Sequence, residues 1–262
     1  MLFCFREEIS MRRNNNKIFL VVLIIAIISV IVGIVMLFNH DSDIVKVYKY
    51  QNEFRKITKE FNEEDDKESK KKKEKSKSEN IKKLKKENSD TIAYLYIPGT
   101  KVSYPVMQTV NNKNYYLNHS FSKENSFMGV PYLDERCSID SSTNLFIYGH
   151  NITGKRMFGE LINYTSESYY EKHKKMILTT ETEEKEYKIF CVMRVAGDSE
   201  FYSFTDAENE EEYKSIINQL VSKSIYDCSA NINGVTMKNQ LMTLSTCADA
   251  SGKSRLLVIG VD

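Results

Sequence analysis

Residues 241–259 read LMTLSTCADASGKSRLLVI. Two strand-like runs flank the short polar loop ADASGKS, so the chain is expected to return as an antiparallel hairpin. One face of the first strand carries Leu241, Thr243, Ser245 and Cys247. Arg255 opens the second strand, which places it near Cys247. A thiolate or a developing oxyanion gains from a guanidinium neighbour, whereas a buried thiol does not. The hairpin therefore indicates a reactive cysteine.

Strand patterns recur through the C-terminal two thirds of the chain. Runs rich in β-branched and aromatic residues, bounded by turn signals, are IAYLYIP, KVSYPVM, GVPYLD, NLFIYGH, KMILTT, KEYKIFCVMRV, QLMTLSTC and SRLLVIGV. Eight strands at this spacing, with few helices between them, predict a mostly β protein built as a closed barrel. Residues 164–173 predict a short helix. Residues 206–224 predict a longer helix, inserted between the late strands, with acidic residues in its first turn.

One apolar segment precedes the strands. Residues 18–38 carry no charge and are long enough, at 1.5 Å rise per residue, to span a bilayer core of about 30 Å. Basic residues lie just before it, namely Arg12, Arg13 and Lys17. The positive-inside rule then places residues 1–17 in the cytoplasm and residues 39–262 outside, facing the cell wall. A cleaved signal peptide is the alternative, but the run is too long and lacks a small-residue cleavage site. We predict an uncleaved, single-pass anchor.

Residues 39–90 connect this anchor to the strands. Apolar residues between positions 44 and 61 fall near one helical face. Residues 62–90 are rich in lysine and glutamate and nearly lack apolar residues, which predicts a solvated, partly helical stalk. A basic patch that touches an anionic wall or lipid is the alternative. We expect the folded domain to comprise residues 91–262, and a chain that begins near Asn88 to keep its activity.

Composition excludes several other classes of protein. A net charge of +1 argues against nucleic acid as a partner, because phosphate-binding domains are usually strongly basic. None of the five cysteines forms a C-x-x-C pair, so a zinc site is not indicated. We interpret Cys137, Cys191 and Cys228 as buried free thiols, with a disulfide bond among them as the alternative.

A nucleophilic cysteine needs a base, and the chain has four histidines. His40 borders the predicted membrane segment. His119 and His173 lie on polar stretches and are predicted to be exposed. His150 ends the strand NLFIYGH and is followed by a turn, which is how a strand delivers a side chain to a barrel rim. His150 is therefore the candidate partner of Cys247.

Taken together, these motifs resemble the sortase family, specifically class B. The resemblance rests on TLSTC with a downstream arginine and on YGHN. It extends to YLYIPGTKVSYPVMQ, NYYLNHSF, MFGEL and YYEKHKKMILTT. It covers most of residues 91–262, as well as the membrane anchor. The lysine-rich stalk is longer than expected of the family, and the loop between Cys247 and Arg255 is shorter.

The resemblance implies an eight-stranded sortase β-barrel with N-terminal helices and catalysis by three residues. Cys247 would attack the Thr carbonyl of a sorting motif and form a thioacyl intermediate. His150 would protonate the leaving amine and later deprotonate the incoming one, while Arg255 would hold the substrate carbonyl and the oxyanion. Ser245 and Tyr202 would line the substrate groove, and the role of Asp249 is open.

The resemblance also implies the partners. The donor would be a secreted protein with a C-terminal sorting signal, often NPQTN-like, and the acceptor an amine of a peptidoglycan cross-bridge. No metal or cofactor would be needed. The alternatives are a class B sortase that polymerises pilins and a non-enzymatic, membrane-tethered surface domain. A papain-like protease is disfavoured because it orders its Cys before its His. An L,D-transpeptidase is disfavoured because no His lies near Cys247.

Overall fold

The computed structural model describes residues 20–36, 45, 78–249 and 252–262. Residues 20–36 form helix α1, whose side chains are exposed. No helix within these described stretches is both long and apolar enough to cross a bilayer. Residues 18, 19, 37 and 38 of the predicted anchor lie outside the described residues, and so does the predicted helix over 44–61, apart from residue 45.

Ten strands form between residues 91 and 261. They are β1 (Thr91–Tyr96), β2 (Ser103–Met107), β3 (Tyr132–Leu133), β4 (Asn144–Tyr148), β5 (Asn151–Ile152), β6 (Arg156–Met157), β7 (Lys175–Thr179), β8 (Glu184–Ala196), β9 (Leu241–Cys247) and β10 (Ser254–Val261). Eight of them close into a barrel in the order β1-β2-β3-β4-β9-β10-β8-β7, and β5 pairs with β6 as a separate ribbon. The eight-stranded barrel predicted from the sequence is confirmed.

The barrel is stabilised by the burial of large side chains. Tyr94, Phe146, Tyr187 and Phe190 are among the largest fully buried residues. Each buried phenylalanine contributes roughly 1.5–3 kcal/mol relative to an exposed one. Two neighbouring pairs of strands run parallel, β2 with β3 and β4 with β9. The second of these pairs brings the end of β4 beside the end of β9, and both strands end at the same rim.

Two helices interrupt the late strands, as predicted. α3 (Glu167–Tyr170) is short, and α4 (Glu210–Lys223) lies between β8 and β9. The side chain of Asn209 caps α4 by accepting a hydrogen bond from the main-chain N–H of Glu212. The acidic residues of its first turn complement the helix dipole. Its buried face consists of Tyr213, Ile217 and Leu220.

The structure differs from the predicted stalk over helix α2 (residues 78–87). Ile81 and Leu84 of this helix are buried in an apolar cluster with residues of the barrel. The Nζ of Lys85 lies 2.6 Å from a carboxylate oxygen of Glu181. The predicted helical character is confirmed for residues 78–87. The expectation that this segment is solvated is wrong there, because two apolar residues three positions apart dock the helix although its other residues are mostly charged. The domain boundaries themselves stay predictions.

The cysteines of the barrel are unbridged. Cys137, Cys191 and Cys228 are buried free thiols, as the sequence indicated, and Cys247 is half-exposed. The Cys137 thiol donates to the main-chain carbonyl of Asn144 at 3.3 Å. The Cys191 thiol donates to the carbonyl of Leu220 at 3.1 Å. These two thiols therefore have structural partners within the fold.

Candidate active site

The hairpin of β9 and β10 places a thiol opposite a guanidinium. Cys247 is the last residue of β9, and its partner in the antiparallel register is Arg255. This is the arrangement that the sequence predicted. The guanidinium Nη1 of Arg255 donates to the main-chain carbonyls of Gly252 and Ser254. Gly197 lies beside this guanidinium, since a Cβ there would be 3.6 Å from the guanidinium carbon, an ordinary van der Waals distance.

The parallel pair of β4 and β9 brings His150 to the same place. Tyr148 is opposite Ser245 in this register, so His150 and Cys247 each lie two residues beyond this pair, at the same rim. The Gly149 N–H donates to the Ser245 carbonyl at 3.1 Å, beyond the last residue of β4. The Asn151 Nδ2 donates to the Cys247 carbonyl at 2.9 Å. A side-chain amide thus ties the two strand ends together just where the main chains separate.

The ring of His150 is oriented by a main-chain carbonyl. Its Nε2 lies 2.8 Å from the carbonyl oxygen of Leu117. Because a carbonyl oxygen only accepts, Nε2 carries a hydrogen and Nδ1 is the nitrogen left to exchange protons. The preceding Gly149 packs on Phe158, whose ring would lie 2.7 Å from a Cβ at that position. A larger residue before His150 would therefore displace the turn.

A groove of about 520 Å³ contains all three predicted catalytic side chains. The two predicted substrate-binding residues, Ser245 and Tyr202, line it as well. Their hydroxyl oxygens are 2.8 Å apart, which joins β9 to the 3-10 helix Glu200–Ser203. Burial raises the pKa of Tyr202, so its hydroxyl stays protonated. Asp249 does not line this groove, and its carboxylate accepts from the Ser254 hydroxyl.

A buried carboxylate that lines the groove, Asp134, was missed by sequence reasoning. Asp134 accepts from the Nε and Nη2 of Arg136, at 2.9 and 2.7 Å, and from the Tyr148 hydroxyl at 2.9 Å. Arg136 also donates to the main-chain carbonyl of Tyr202 at 2.9 Å. Burial alone would raise the pKa of Asp134, but the hydrogen bonds from Arg136 and Tyr148 bring it below its ordinary value. In the sequence, the signal for this ion pair was that Asp134 and Arg136 have opposite charges and lie two positions apart.

The other histidines lie away from this groove. His119 and His173 are half-buried, so the expectation that both are exposed is wrong. The Nδ1 of His119 bonds to the carbonyl of Tyr115 at 2.7 Å, and the Nδ1 of His173 bonds to that of Pro98 at 2.9 Å. Main-chain carbonyls thus hold both rings in place. His40 lies outside the described residues.

The chemistry of the groove is that of a thiol nucleophile. It contains a sulfur nucleophile, an imidazole that can exchange a proton, and a fixed positive charge that can face an oxyanion. Within the described parts of the chain, no group of three or more His, Cys, Asp or Glu residues is arranged to hold a metal ion. The arrangement supports acyl transfer through a thioester.

Comparison with known proteins gives consistent results. The sortase domain family matches residues 95–262. Sortase B of Staphylococcus aureus is 31% identical over 179 residues, which cover 68% of this chain and 71% of the relative. The structure of the S. aureus sortase B–substrate complex has a TM-score of 0.71 at 26% identity and covers 86% of this chain and 97% of that one. The structure of a mutant form of Clostridium perfringens sortase B has a TM-score of 0.67 at 26% identity. It covers 72% of this chain and 89% of that one.

Proposed function

This chain belongs to the sortase family as a class B cysteine transpeptidase, and from that premise we propose that it cleaves the C-terminal sorting motif of a secreted protein after its Thr and joins the new end to an amine of a peptidoglycan cross-bridge. The observation that carries the proposal is the pairing of Cys247 with Arg255, with His150 brought alongside by the register of β4 and β9. One similar solved structure is a complex of S. aureus sortase B with its substrate. That complex supports the proposal that this chain also binds a substrate.

The first half-reaction forms a thioester on Cys247. The Sγ thiolate attacks the Thr carbonyl carbon, the C–N bond breaks, and His150 gives a proton to the departing amine. The hydrogen bond to Leu117 occupies Nε2, so this proton moves through Nδ1. Arg255 faces the carbonyl oxygen while that oxygen takes up negative charge. A fixed donor at this position lowers the barrier most.

The second half-reaction releases the product. The acceptor amine attacks the thioester carbonyl carbon, His150 takes the proton of that amine, and the C–S bond breaks. Cys247 leaves as the thiolate, so atoms and charge balance over the cycle. Tyr202 and Ser245 hold the peptide along the groove through hydroxyls that can donate or accept.

The enzyme acts at the cell membrane in this proposal. Residues 18–38 would anchor it, with Arg12, Arg13 and Lys17 on the cytoplasmic side. The catalytic domain would face the cell wall, where donor and acceptor meet. Protease added to intact protoplasts should digest residues 39–262, and a protected C-terminal domain would overturn this topology.

A peptide cleavage assay tests the proposed reaction. Fluorogenic peptides with an NPQTN-like motif, and variants that keep only the Thr fixed, are incubated with the full chain in detergent micelles. We expect cleavage after Thr, and an acyl-enzyme that mass spectrometry locates on Cys247. Cys247→Ala should lose both. Cys228→Ala is the matched control, because that thiol is buried away from the groove. Cleavage by Cys247→Ala would refute the proposal.

A further inference from the structure

We propose that helix α2 and the residue that follows it, Asn88, position the catalytic histidine through the 3-10 helix Tyr115–Leu117. Asn88 and Tyr116 are thus positioning residues. This inference rests on the proposed function, because it concerns the geometry of His150 in that reaction. The proposal gives a role to helix α2, although its composition alone predicts a solvated segment.

The route starts at the ring of His150. Its Nε2 bonds to the carbonyl of Leu117 at 2.8 Å, and Leu117 is the last residue of the 3-10 helix Tyr115–Leu117. A helix of three residues is too short to be rigid by itself. What packs against the short helix therefore determines the position of this carbonyl. The carbonyl in turn determines the tautomer and the orientation of His150.

Tyr116 connects that short helix to the residues after α2. Its side chain is 1% exposed. Its hydroxyl accepts from the Asn88 Nδ2 at 2.8 Å and donates to an Asp90 carboxylate oxygen at 2.7 Å. Asn88 also donates to the carbonyl of Phe121 at 2.7 Å. The same Asp90 oxygen lies 2.9 Å from the Nζ of Lys123. The phenol is thereby held in a closed hydrogen-bond network.

Helix α2 supplies the apolar half of this contact. Ile81 and Leu84 pack in one buried cluster with Tyr116, and Leu117 and Tyr148 contact the edge of that cluster. Asn88 continues the helix, since its N–H donates to the carbonyl of Leu84 at 2.8 Å. Removing α2 would expose one side of this cluster to solvent. A chain that begins near Asn88 should therefore lose activity, contrary to the expectation drawn from composition.

Gly129 packs closely against the carbonyls of the short helix. This residue has a φ of +58°, and a Cβ there would lie 2.4 Å from the Tyr116 carbonyl oxygen and 2.5 Å from that of Leu117. Only glycine permits this approach without strain. The N–H of Val130 then donates to the Tyr116 carbonyl at 2.9 Å. Leu117 thus packs against the cluster that contains α2 residues, while this turn lies against its carbonyl.

The test reads the tautomer of His150 directly. The full chain, labelled with ¹⁵N-histidine and kept in detergent micelles, is studied as wild type, Leu84→Ala, Leu84→Met and Tyr116→Phe. Lys83→Ala is the matched control, because Lys83 is exposed on the same helix. We expect the wild type to show hydrogen on Nε2. Leu84→Ala and Tyr116→Phe should shift the tautomer population, while Leu84→Met and Lys83→Ala should not.

Kinetics on the sorting peptide give the second readout. Since small displacements of a catalytic group are costly, we expect kcat to fall about tenfold in Leu84→Ala and Tyr116→Phe, with KM changed less than about twofold. A folded Leu84→Ala with wild-type tautomer and kcat would overturn the inference. If Leu84→Ala does not fold, Tyr116→Phe decides in the same way.

The two proposals fail differently in this experiment. A wild type that cleaves no peptide, although its histidine signals respond to Leu84→Ala, refutes the transpeptidation and leaves the positioning of His150 supported. A wild type that cleaves peptide, with His150 signals unmoved in both Leu84→Ala and Tyr116→Phe, refutes the positioning alone.

Discussion

The hydroxyl oxygens of Tyr202 and Ser245 lie 2.8 Å apart and join the 3-10 helix Glu200–Ser203 to the strand that carries Cys247. The Tyr202 ring also stacks at a tilt on Phe146 and Tyr148, with centroids 5.6 and 6.1 Å away. The groove wall is thus attached to the barrel by these two ring contacts, by the hydroxyl pair, and by the hydrogen bond from Arg136 to the Tyr202 carbonyl.

Removing this hydroxyl should weaken substrate binding more than catalysis. Because a hydrogen bond contributes about 1 kcal/mol net, Tyr202→Phe should raise KM for the sorting peptide about fivefold with kcat nearly unchanged. Ser245→Ala should have the same effect, and the double variant should be no worse than either one. Additive losses would show that the two hydroxyls act separately on the substrate.

Arg255 should not be replaceable by lysine. Arg255→Lys keeps the charge but loses the planar fork, so kcat/KM should fall roughly 10²-fold, as when one oxyanion donor is removed. Arg194→Lys is the control, since Arg194 is exposed on β8 beside β10. The measurement is cleavage of the fluorogenic peptide at saturating and at low concentration. Near-normal activity in Arg255→Lys would remove the role assigned to it.

Thiol labelling should single out one cysteine of the barrel. Burial raises the pKa of Cys137 to about 11 and that of Cys191 to about 12, and it also raises the pKa of Cys228. Reagents attack the thiolate, so these three should resist iodoacetamide at pH 8, whereas the half-exposed Cys247 reacts. Peptide mapping should show Cys247 alone modified between residues 78 and 262, and all four after urea. Labelling of Cys191 in the folded protein would contradict this.

Asp134 should make the barrel sensitive to acid. Its pKa in the folded state lies below the ordinary value of 3.8, so its contribution to stability is complete above about pH 4 and is lost as the pH falls further. Asp134→Asn should therefore lower the free energy of unfolding at pH 7 by about 2 kcal/mol, because charged hydrogen bonds are lost. The difference from wild type should shrink below pH 4 in urea titrations. The exposed Asp140→Asn should show neither effect.

The strands of the barrel were predictable because their signal is local. Alternation of side chains over a few residues, with turns between, is enough to assign β9 and its partner, and the register then follows. His150 could be chosen because it ends a strand, whereas Tyr202 could be suggested only through the family resemblance. Both lie in the groove.

Tertiary contacts explain what sequence reasoning missed. The charged composition around α2 hides Ile81 and Leu84, whose burial depends on a surface that only the folded barrel provides. Asp134 looks like an ordinary turn residue until Tyr148 approaches from the neighbouring strand. His119 and His173 lie on polar stretches, but each ring bonds to a main-chain carbonyl. Pro98 is far from His173 in the sequence, and the turn that brings the Tyr115 carbonyl to His119 is not evident from the sequence.

The parallel pairing of β4 with β9 also determines when the protein can become active. The contact that joins Asn151 to Cys247 closes a loop of 96 residues, and the one that joins Asn144 to Thr243 spans 99. Contacts so distant in sequence form late and slow the folding of a domain, because the entropy of loop closure is lost before any contact compensates it. A nascent chain carries its nucleophile and its base on separate, unjoined segments until residues near 255 are available. The two groups can therefore act together only after the barrel has closed.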